Sequence, residues 1–297
     1  MNYRNLGKSE LSISEISFGC MSLKVGEKDN QRILNKAVDN GINYFDTADL
    51  YDKGENEKLV GAALKNRRQQ ILIGSKVGNQ WKADRSGWDW NPRKEYILKA
   101  VENSLSRLQT DYIDLYQLHG GTIDDPIDEV IEAFEKLVEQ GKIRYYGISS
   151  IRPNVIRQYV SKSNIASVMM QYSMLDRRPE ESCFKLLEEN NIGVLARGGL
   201  AKGILVDKPA IQYLNYSESE VQNVKKAILE SIKNEKYAEQ IALQFVLNPT
   251  AVSSAVVGIR TLDQLNKALV AIKIPAPIDE IHYLQSIIPL NYYELHR

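Results

Sequence analysis

Apolar residues along this chain fall into short runs, separated by longer stretches in which they recur every three or four positions. The short runs have the length of buried strands: "ISEISFG" (13–19), "INYFD" (42–46), "ILIGSK" (71–76), "YIDLYQLH" (112–119), "IRYYGIS" (143–149), "ASVMMQ" (166–171), "IGVLA" (192–196) and "SSAVVG" (253–258). Helical periodicity marks 29–40, 55–66, 93–108, 127–140, 153–161, 180–190 and 237–247. Asn91-Pro92, Asp125-Pro126 and Arg178-Pro179 put proline where a first helical turn tolerates it, and Ser217 to Glu220 has the spacing of a capping box. Gly41, Gly141 and Gly193 follow helical stretches, as C-terminal caps do.

Eight strands, each followed by helical sequence, predict a parallel sheet closed into a (β/α)8 TIM barrel. The alternative is a doubly wound open sheet, but the G-x-G-x-x-G turn that a dinucleotide-binding sheet needs after its first strand is missing. Strand-like pieces flank "GKSE" in "YRNLGKSELSISEISFG" and predict an N-terminal β-hairpin closing the barrel bottom. No linker, repeat or low-complexity segment divides residues 1–297, so a single barrel domain is expected.

Composition removes several classes. Lys+Arg and Asp+Glu both number 38, a balance without the basic excess of a nucleic-acid binder. Cys20 and Cys183 are too few for a disulfide framework and predict free thiols in a reducing compartment. The start "MNYRNLGKSELSIS" lacks the apolar core of a signal peptide, and no run approaches the roughly 18 apolar residues of a membrane span. A cytoplasmic location is the expectation.

The strand ends carry residues that a plain core would not use. Asp46, Lys76, His119, the pair Ser149-Ser150 and Gln171 end the second to sixth strands. All such ends meet on one face of a barrel, the face that holds the chemistry in barrel enzymes. Tyr51 follows Asp46 in "NYFDTADLYDKGENE", where Asp49 and Asp52 are expected to be solvated loop charges. A tyrosine with an ordinary pKa of about 10 is a weak acid for protonating an alkoxide at neutral pH. A lysine ammonium about 4 Å away favours phenolate by roughly 4 kcal/mol at an effective dielectric near 20, so Lys76 is expected to lower the Tyr51 pKa. Asp46 would hold Lys76, and His119 would donate to a carbonyl oxygen; the set suits protonation of an oxygen that becomes negative as hydride arrives. Met21, Trp81, Trp88 and Trp90 are candidates to wall an apolar substrate pocket, the alternative for Trp88 and Trp90 being to pack a loop on the barrel.

After the seventh and eighth strands come "RGGLAKG" (197–203) and "GIRTLDQL" (258–265). Glycines there allow close backbone approach, Lys202 and Arg260 bring positive charge, and a helix starting near Thr261 offers N–H groups; these loops are the usual phosphate site of barrels.

"FDTADLY", "GSKVG", "DLYQLHGG", "IEAFEKLVEQGKIRYYGIS", "MQYSMLDR", "GVLARGGLAKGIL" and "VVGIRTLDQL" together resemble the aldo-keto reductase family, in order and over roughly residues 3–270. The resemblance implies reduction of aldehyde and ketone carbonyls by NADPH, with NADH as the other possible donor, and without a metal. It implies Tyr51 as general acid assisted by Lys76 and Asp46, with His119 orienting the carbonyl. Ser149, Ser150 and Gln171 match positions around the nicotinamide, and Arg197 the position of an aromatic that often stacks on it. Gly198, Leu200, Lys202 and Gly203 match the pyrophosphate loop, and Gly258, Arg260 and Gln264 the region of the ribose and its 2′-phosphate; Gly19 and Met21 complete the expected cofactor contacts. The chain departs from the family pattern at Asp52 (usually glycine), Ser150 (asparagine), Arg197, and Lys267 and Ala268 (glutamate and asparagine). Two other functions compete: a Schiff-base aldolase built on Lys76, and a nucleotide-sensing subunit that binds NADPH with negligible turnover. The small-molecule substrate and the oligomeric state are not specified by these residues.

Overall fold

In the computed structural model, which describes residues 1–232, 238–273 and 277–297, the chain starts with a hairpin of β1 (Tyr3–Asn5) and β2 (Ser12–Ser14). The barrel strands follow as β3 (Ile16–Gly19), β4 (Tyr44–Asp46) and β5 (Leu72–Val77); β6 (Asn79–Trp81) and β7 (Trp88–Trp90) then pair as a second hairpin. The barrel resumes with β8 (Ile113–Leu118), β9 (Ile143–Ser149), β10 (Ser167–Gln171), β11 (Gly193–Arg197) and β12 (Val252–Gly258). β3, β4, β5, β8, β9, β10, β11 and β12 are parallel neighbours in chain order, and β12 closes on β3. The helices are α1 (Asn30–Asp39), α2 (Glu55–Leu64), α3 (Lys94–Leu108), α4 (Ile127–Glu139), α5 (Pro153–Lys162), α6 (Cys183–Glu189), α7 (Glu218–Ile232), α8 (Ala238–Leu247), α9 (Leu262–Lys273) and α10 (Ile278–Ile287). Position 237, the start expected for the last periodic stretch, lies outside the described residues. No described helix is long and apolar enough to cross a membrane.

The periodicity explains why these segments are helices. In α4, Ile127, Val130, Ala133, Phe134 and Leu137 are buried at three- and four-residue spacing, while Asp128 and Glu129 sit in the first turn and Lys136 in the last, as the helix dipole favours. Ser217 and Glu220 exchange backbone-to-side-chain hydrogen bonds at the start of α7, the expected capping box. Gly41 and Gly141 adopt φ of +88° and +69° beyond α1 and α4, the left-handed cap geometry.

Three local expectations are corrected. Gly193 is the first residue of β11, and Asn191 takes the left-handed turn instead (φ +51°). Pro92 precedes α3, and Pro126 occupies the N-cap of α4, so neither lies inside the first turn. The run 13–19 is two strands: the Glu15 N–H pairs back to Asn2 in the hairpin, while its carbonyl accepts from Ala255 in the barrel. One residue thus passes the chain from one sheet to the other.

Inward-facing positions change character along the barrel axis. At the bottom, Tyr44, Leu115, Met169, Leu195 and Val256 pack on Leu6, Leu11 and Ile13 from the hairpin, which plugs the barrel. Burial of each such aliphatic side chain contributes about 1.5–3 kcal/mol. Two residues further along the same strands, with the same side-chain parity, stand Asp46, Gln117, Gln171, Arg197 and Gly258. On β5 the sequence is Leu72, Gly74, Lys76; Gly74 leaves the space that the Tyr44 hydroxyl fills, 1.9 Å from where a Cβ would stand. The outer faces of the strands and the helices form the larger apolar core, which includes Phe18, Phe45, Tyr116, Phe134, Tyr146 and Phe245.

Gly61 shows how tightly the outer layer is set. A Cβ there would lie 2.5 Å from the carbonyl of Leu108, at the end of α3. Gly61→Ala gains at most about 1 kcal/mol of helix propensity. The clash costs about 1–3 kcal/mol, so the variant is expected to show a lower midpoint in urea denaturation, against the propensity trend.

Candidate active site

The centre of the polar face is a buried ion pair. Lys76 is fully buried, and its Nζ donates to Asp46 Oδ2 at 2.6 Å, to the Thr47 carbonyl at 2.8 Å and to the Tyr51 hydroxyl at 3.4 Å. Three ammonium hydrogens therefore meet three acceptors, which is what a charge in a dry interior requires. Burial works to lower the Lys76 pKa, but Asp46 and then Tyr51 raise it, and the ammonium stays charged; burial pushes the Asp46 carboxyl up while Lys76 pulls it back. The second carboxylate oxygen of Asp46 is buried with no hydrogen-bond partner among the described residues.

Tyr51 and His119 converge on this pair. Their rings stand nearly perpendicular (83°) with centroids 5.7 Å apart, and Lys76 Nζ lies 5.0 Å from the phenol ring centre. The pKa of Tyr51 departs from expectation. Burial raises it above the ordinary tyrosine value, Lys76 opposes, Asp46 adds to the rise, and burial wins. The phenol therefore holds its proton at neutral pH. His119 is pushed down to about 3, by burial first and then by Lys76 and Arg197, so its imidazole is neutral. Its Nδ1 is buried without a partner.

The loop that carries Tyr51 has an unusual backbone. Asp52, Lys53 and Gly54 have φ of +48°, +59° and +88° in succession, all left-handed. This turn reverses the chain into α2 and explains why glycine suits the position that Asp52 occupies. Asp49 is not a solvated charge: it is 7% exposed, whereas Asp52 is exposed. The helix–barrel packing that buries Asp49 leaves no mark in the local sequence. Two further anchors also escaped it. Thr47 offers its carbonyl to Lys76 and its hydroxyl to Asn56 Oδ1 (2.7 Å), and Asn56 Nδ2 donates to the Cys20 carbonyl (2.9 Å), tying α2 to the end of β3. Backbone acceptors carry no side-chain signature, although Thr47 adjoins Asp46 in the same stretch.

In front of Tyr51 a cleft of ≈ 370 Å³ is lined by Met21, Leu50, Asp52, Lys53, Trp81 and Trp88. Lys53 Nζ stands 5.4 Å from the Trp81 ring centre. Trp90 plays the other part, packing over Gly78 and donating from its indole to Asp125 at 2.9 Å.

The remaining strand ends form one continuous rim. Gly19 pairs in register with Gly258 on one side and Asp46 on the other. Ser149 ends β9, and the Ser150 hydroxyl accepts the Arg152 N–H at the start of α5. Gln171 is held from both sides: Arg197 donates to its Oε1 at 3.0 Å, and its Nε2 donates to the Tyr213 hydroxyl at 3.2 Å. Tyr213 belongs to the long connection after β11 and was not foreseen from the sequence. Beyond Arg197, Gly198 (φ +76°), Ala201 (φ +45°), Lys202 (φ +59°) and Gly203 (φ +90°) are left-handed and make a tight turn that also contains Leu200 (φ −94°). At the end of β12, the Arg260 N–H donates to Gln264 Oε1 at 3.0 Å, and the Gln264 N–H to the Thr261 hydroxyl at 3.2 Å. Part of the expected N–H set at this helix start is thus already engaged. Lys202 and Arg260 are exposed and form no ion pair among the described residues, whereas Lys267 is paired with Asp263 at 3.1 Å. Two free cations beside two turns fit the phosphates of a dinucleotide. Cys20 and Cys183 are free and buried, and burial raises both thiols.

A closed parallel barrel with a buried lysine–carboxylate pair, a tyrosine and a histidine on one rim defines a class of barrel oxidoreductases, and sequence comparison identifies it. The Aldo/keto reductase family profile matches residues 15–289, and the chain belongs to that family. It is 50% identical to the "uncharacterized oxidoreductase YqkF" of Bacillus subtilis (strain 168), over all of both chains. The holo form of aldo-keto reductase AKR11C1 from Bacillus halodurans superposes with a TM-score of 0.95 at 49% identity, covering 100% of this chain and 99% of that one. The "aldo-keto reductase yakc [NADP(+)]" of Schizosaccharomyces pombe (strain 972 / ATCC 24843) is 35% identical over 65% of this chain and 60% of its own. The protein is therefore an oxidoreductase of this family.

Asp52 gives a test of the loop. A left-handed non-glycine residue costs about 1–2 kcal/mol. Asp52→Gly is expected to raise the urea midpoint by a stability gain of about 0.5–1 kcal/mol, after allowing for the greater unfolded-state freedom of glycine.

Proposed function

We propose that the protein reduces aldehyde and ketone carbonyls to alcohols with NADPH, Tyr51 serving as general acid. The observation that carries this is the saturated Lys76 ammonium, fixed by Asp46 and the Thr47 carbonyl and pointing its third hydrogen at the Tyr51 hydroxyl. When bound, the nicotinamide supplies hydride to the carbonyl carbon. The Tyr51 phenol, protonated at rest, gives its proton to the carbonyl oxygen as negative charge develops there, and Lys76 stabilises the phenolate left behind. Neutral His119 donates a hydrogen bond to the same oxygen without competing as an acid. Gln171, oriented by Arg197 and Tyr213, would hold the carboxamide together with Ser149 and Ser150. Gly198, Leu200, Lys202 and Gly203 would take the pyrophosphate, and Arg260 with Gln264 the ribose and its phosphate. Gly19, Met21 and Gly258 would complete the cofactor contacts. Arg260 forms no ion pair among the described residues, and this favours NADPH over NADH; the NADP(+) in the name of the Schizosaccharomyces pombe relative supports the same choice.

The Schiff-base reading needs a neutral Lys76 with a free lone pair. Asp46 at 2.6 Å and two further acceptors oppose that state.

Two measurements test the proposal. Tyr51→Phe is expected to lower kcat by about 10²–10⁴-fold while NADPH fluorescence titration gives an unchanged Kd; undiminished turnover would remove Tyr51 from its role. Because His119 titrates near 3, kcat/KM is expected to show no inflection between pH 5 and 7. An inflection there that His119→Asn abolishes would contradict a neutral imidazole.

A further inference from the structure

We propose that Asp49 is a positioning residue for Tyr51, working as a neutral carboxylic acid in a buried cluster behind the site and setting the alkaline limit of the reaction. The proposal rests on the general-acid role of Tyr51.

Asp49 stands two residues before Tyr51, and its N–H donates to the Lys76 carbonyl at 3.3 Å, stitching the loop to the end of β5. Its side chain is buried, and its Oδ1 has no hydrogen-bond partner among the described residues. Behind it Glu57, fully buried on α2, accepts from Arg107 Nε at 2.6 Å and from the Ser75 hydroxyl. Arg107 also donates to the Ser104 hydroxyl at 3.1 Å, and its side chain covers Gly54, where a Cβ would come within 2.8 Å of the Arg107 Cδ. The groups facing Asp49 are Glu57 from α2, Arg107 and Tyr96 from α3, Tyr116 from β8 and Lys76 from β5.

Three carboxyl groups, Asp46, Asp49 and Glu57, thus share a dry space with two cations, each already committed: Arg107 to Glu57 and Lys76 to Asp46. A third carboxylate there has no counter-ion of its own, so the proton stays. Burial first, then Glu57, push Asp49 up to about 8, with Arg107, the Leu50 N–H and Lys76 opposing. Once ionised, Asp49 adds negative charge beside Lys76 and opposes the phenolate that Tyr51 must become. Tyr51 itself titrates above the ordinary tyrosine value, so its own loss lies at higher pH and the two limbs separate.

The test is kcat with NADPH and a carbonyl substrate between pH 6 and 10, with thermal midpoints in the same buffers, for wild type, Asp49→Asn and Glu57→Gln. The wild-type rate is expected to fall on the order of fivefold through pH 8. The Asp49→Asn profile, normalised to its own maximum, stays flat there. Glu57→Gln moves the limb to lower pH, because the charge that raises Asp49 is gone. The sign for stability follows from a folded pKa above the unfolded value of about 3.9. Between the two the folded state alone keeps the proton, so this contribution is full below about pH 4 and is lost as pH rises to 8. The wild-type midpoint should therefore fall more steeply than that of Asp49→Asn between pH 5 and 8. Equal alkaline limbs, or equal midpoint slopes, in the two proteins overturn the proposal. Absence of wild-type turnover at every pH, with unequal midpoint slopes, instead overturns the reductase role and with it the part assigned to Asp49 in catalysis.

Discussion

A lysine ammonium with no access to water constrains the whole rim of this barrel. Removing such a charge from water costs several kcal/mol, and the structure offsets that cost only by giving every hydrogen an acceptor. Asp46, the Thr47 carbonyl and the Tyr51 hydroxyl are those acceptors, and all three come from one short stretch that begins at the last residue of β4. The loop is therefore not free to wander: satisfying Lys76 places Tyr51. The same demand explains the clamps around it, with Thr47 bound to Asn56 and Asn56 to the Cys20 carbonyl.

The barrel supplies the rest by separating two kinds of interior. Below, the hairpin side chains Leu6, Leu11 and Ile13 close an apolar plug. Above, one strand period further on, the same inward columns end in polar and glycine residues. The polar rim thus stands on a floor that excludes water, and this makes burial the largest influence on its titrating groups. Burial keeps the Tyr51 proton on, His119 neutral and Asp49 protonated. A site described only by its charges would have Lys76 lowering the Tyr51 pKa; desolvation reverses that sign while leaving Lys76 in place to receive the phenolate.

Much of this was legible in the sequence because the barrel turns order along the chain into position. Strand ends at Asp46, Lys76 and His119 must meet once the sheet is parallel and closed, so a list of terminal residues is already a map. The glycine and cation content of 197–203 and 258–265 marked the far side of the rim for the same reason. Features that depend on neighbours distant in sequence were not legible. Glu15 splits a continuous apolar run because Asn2 and Ala255 claim its two backbone groups from different sheets. Tyr213 reaches Gln171 from a connection without periodicity.

Asp49 and Asp52 show the boundary most plainly. They are three residues apart, the same residue type and in the same loop, and the sequence alone treats them alike. What the sequence determined by itself was the eightfold alternation, the family, and the residues that end each strand, since these follow from local period and chain order. What only the tertiary structure decided was which carboxylate loses its water. The packing of α2 and α3 against the barrel buries Asp49 and leaves Asp52 in solvent, and desolvation is a property of everything around a group rather than of its neighbours in the chain.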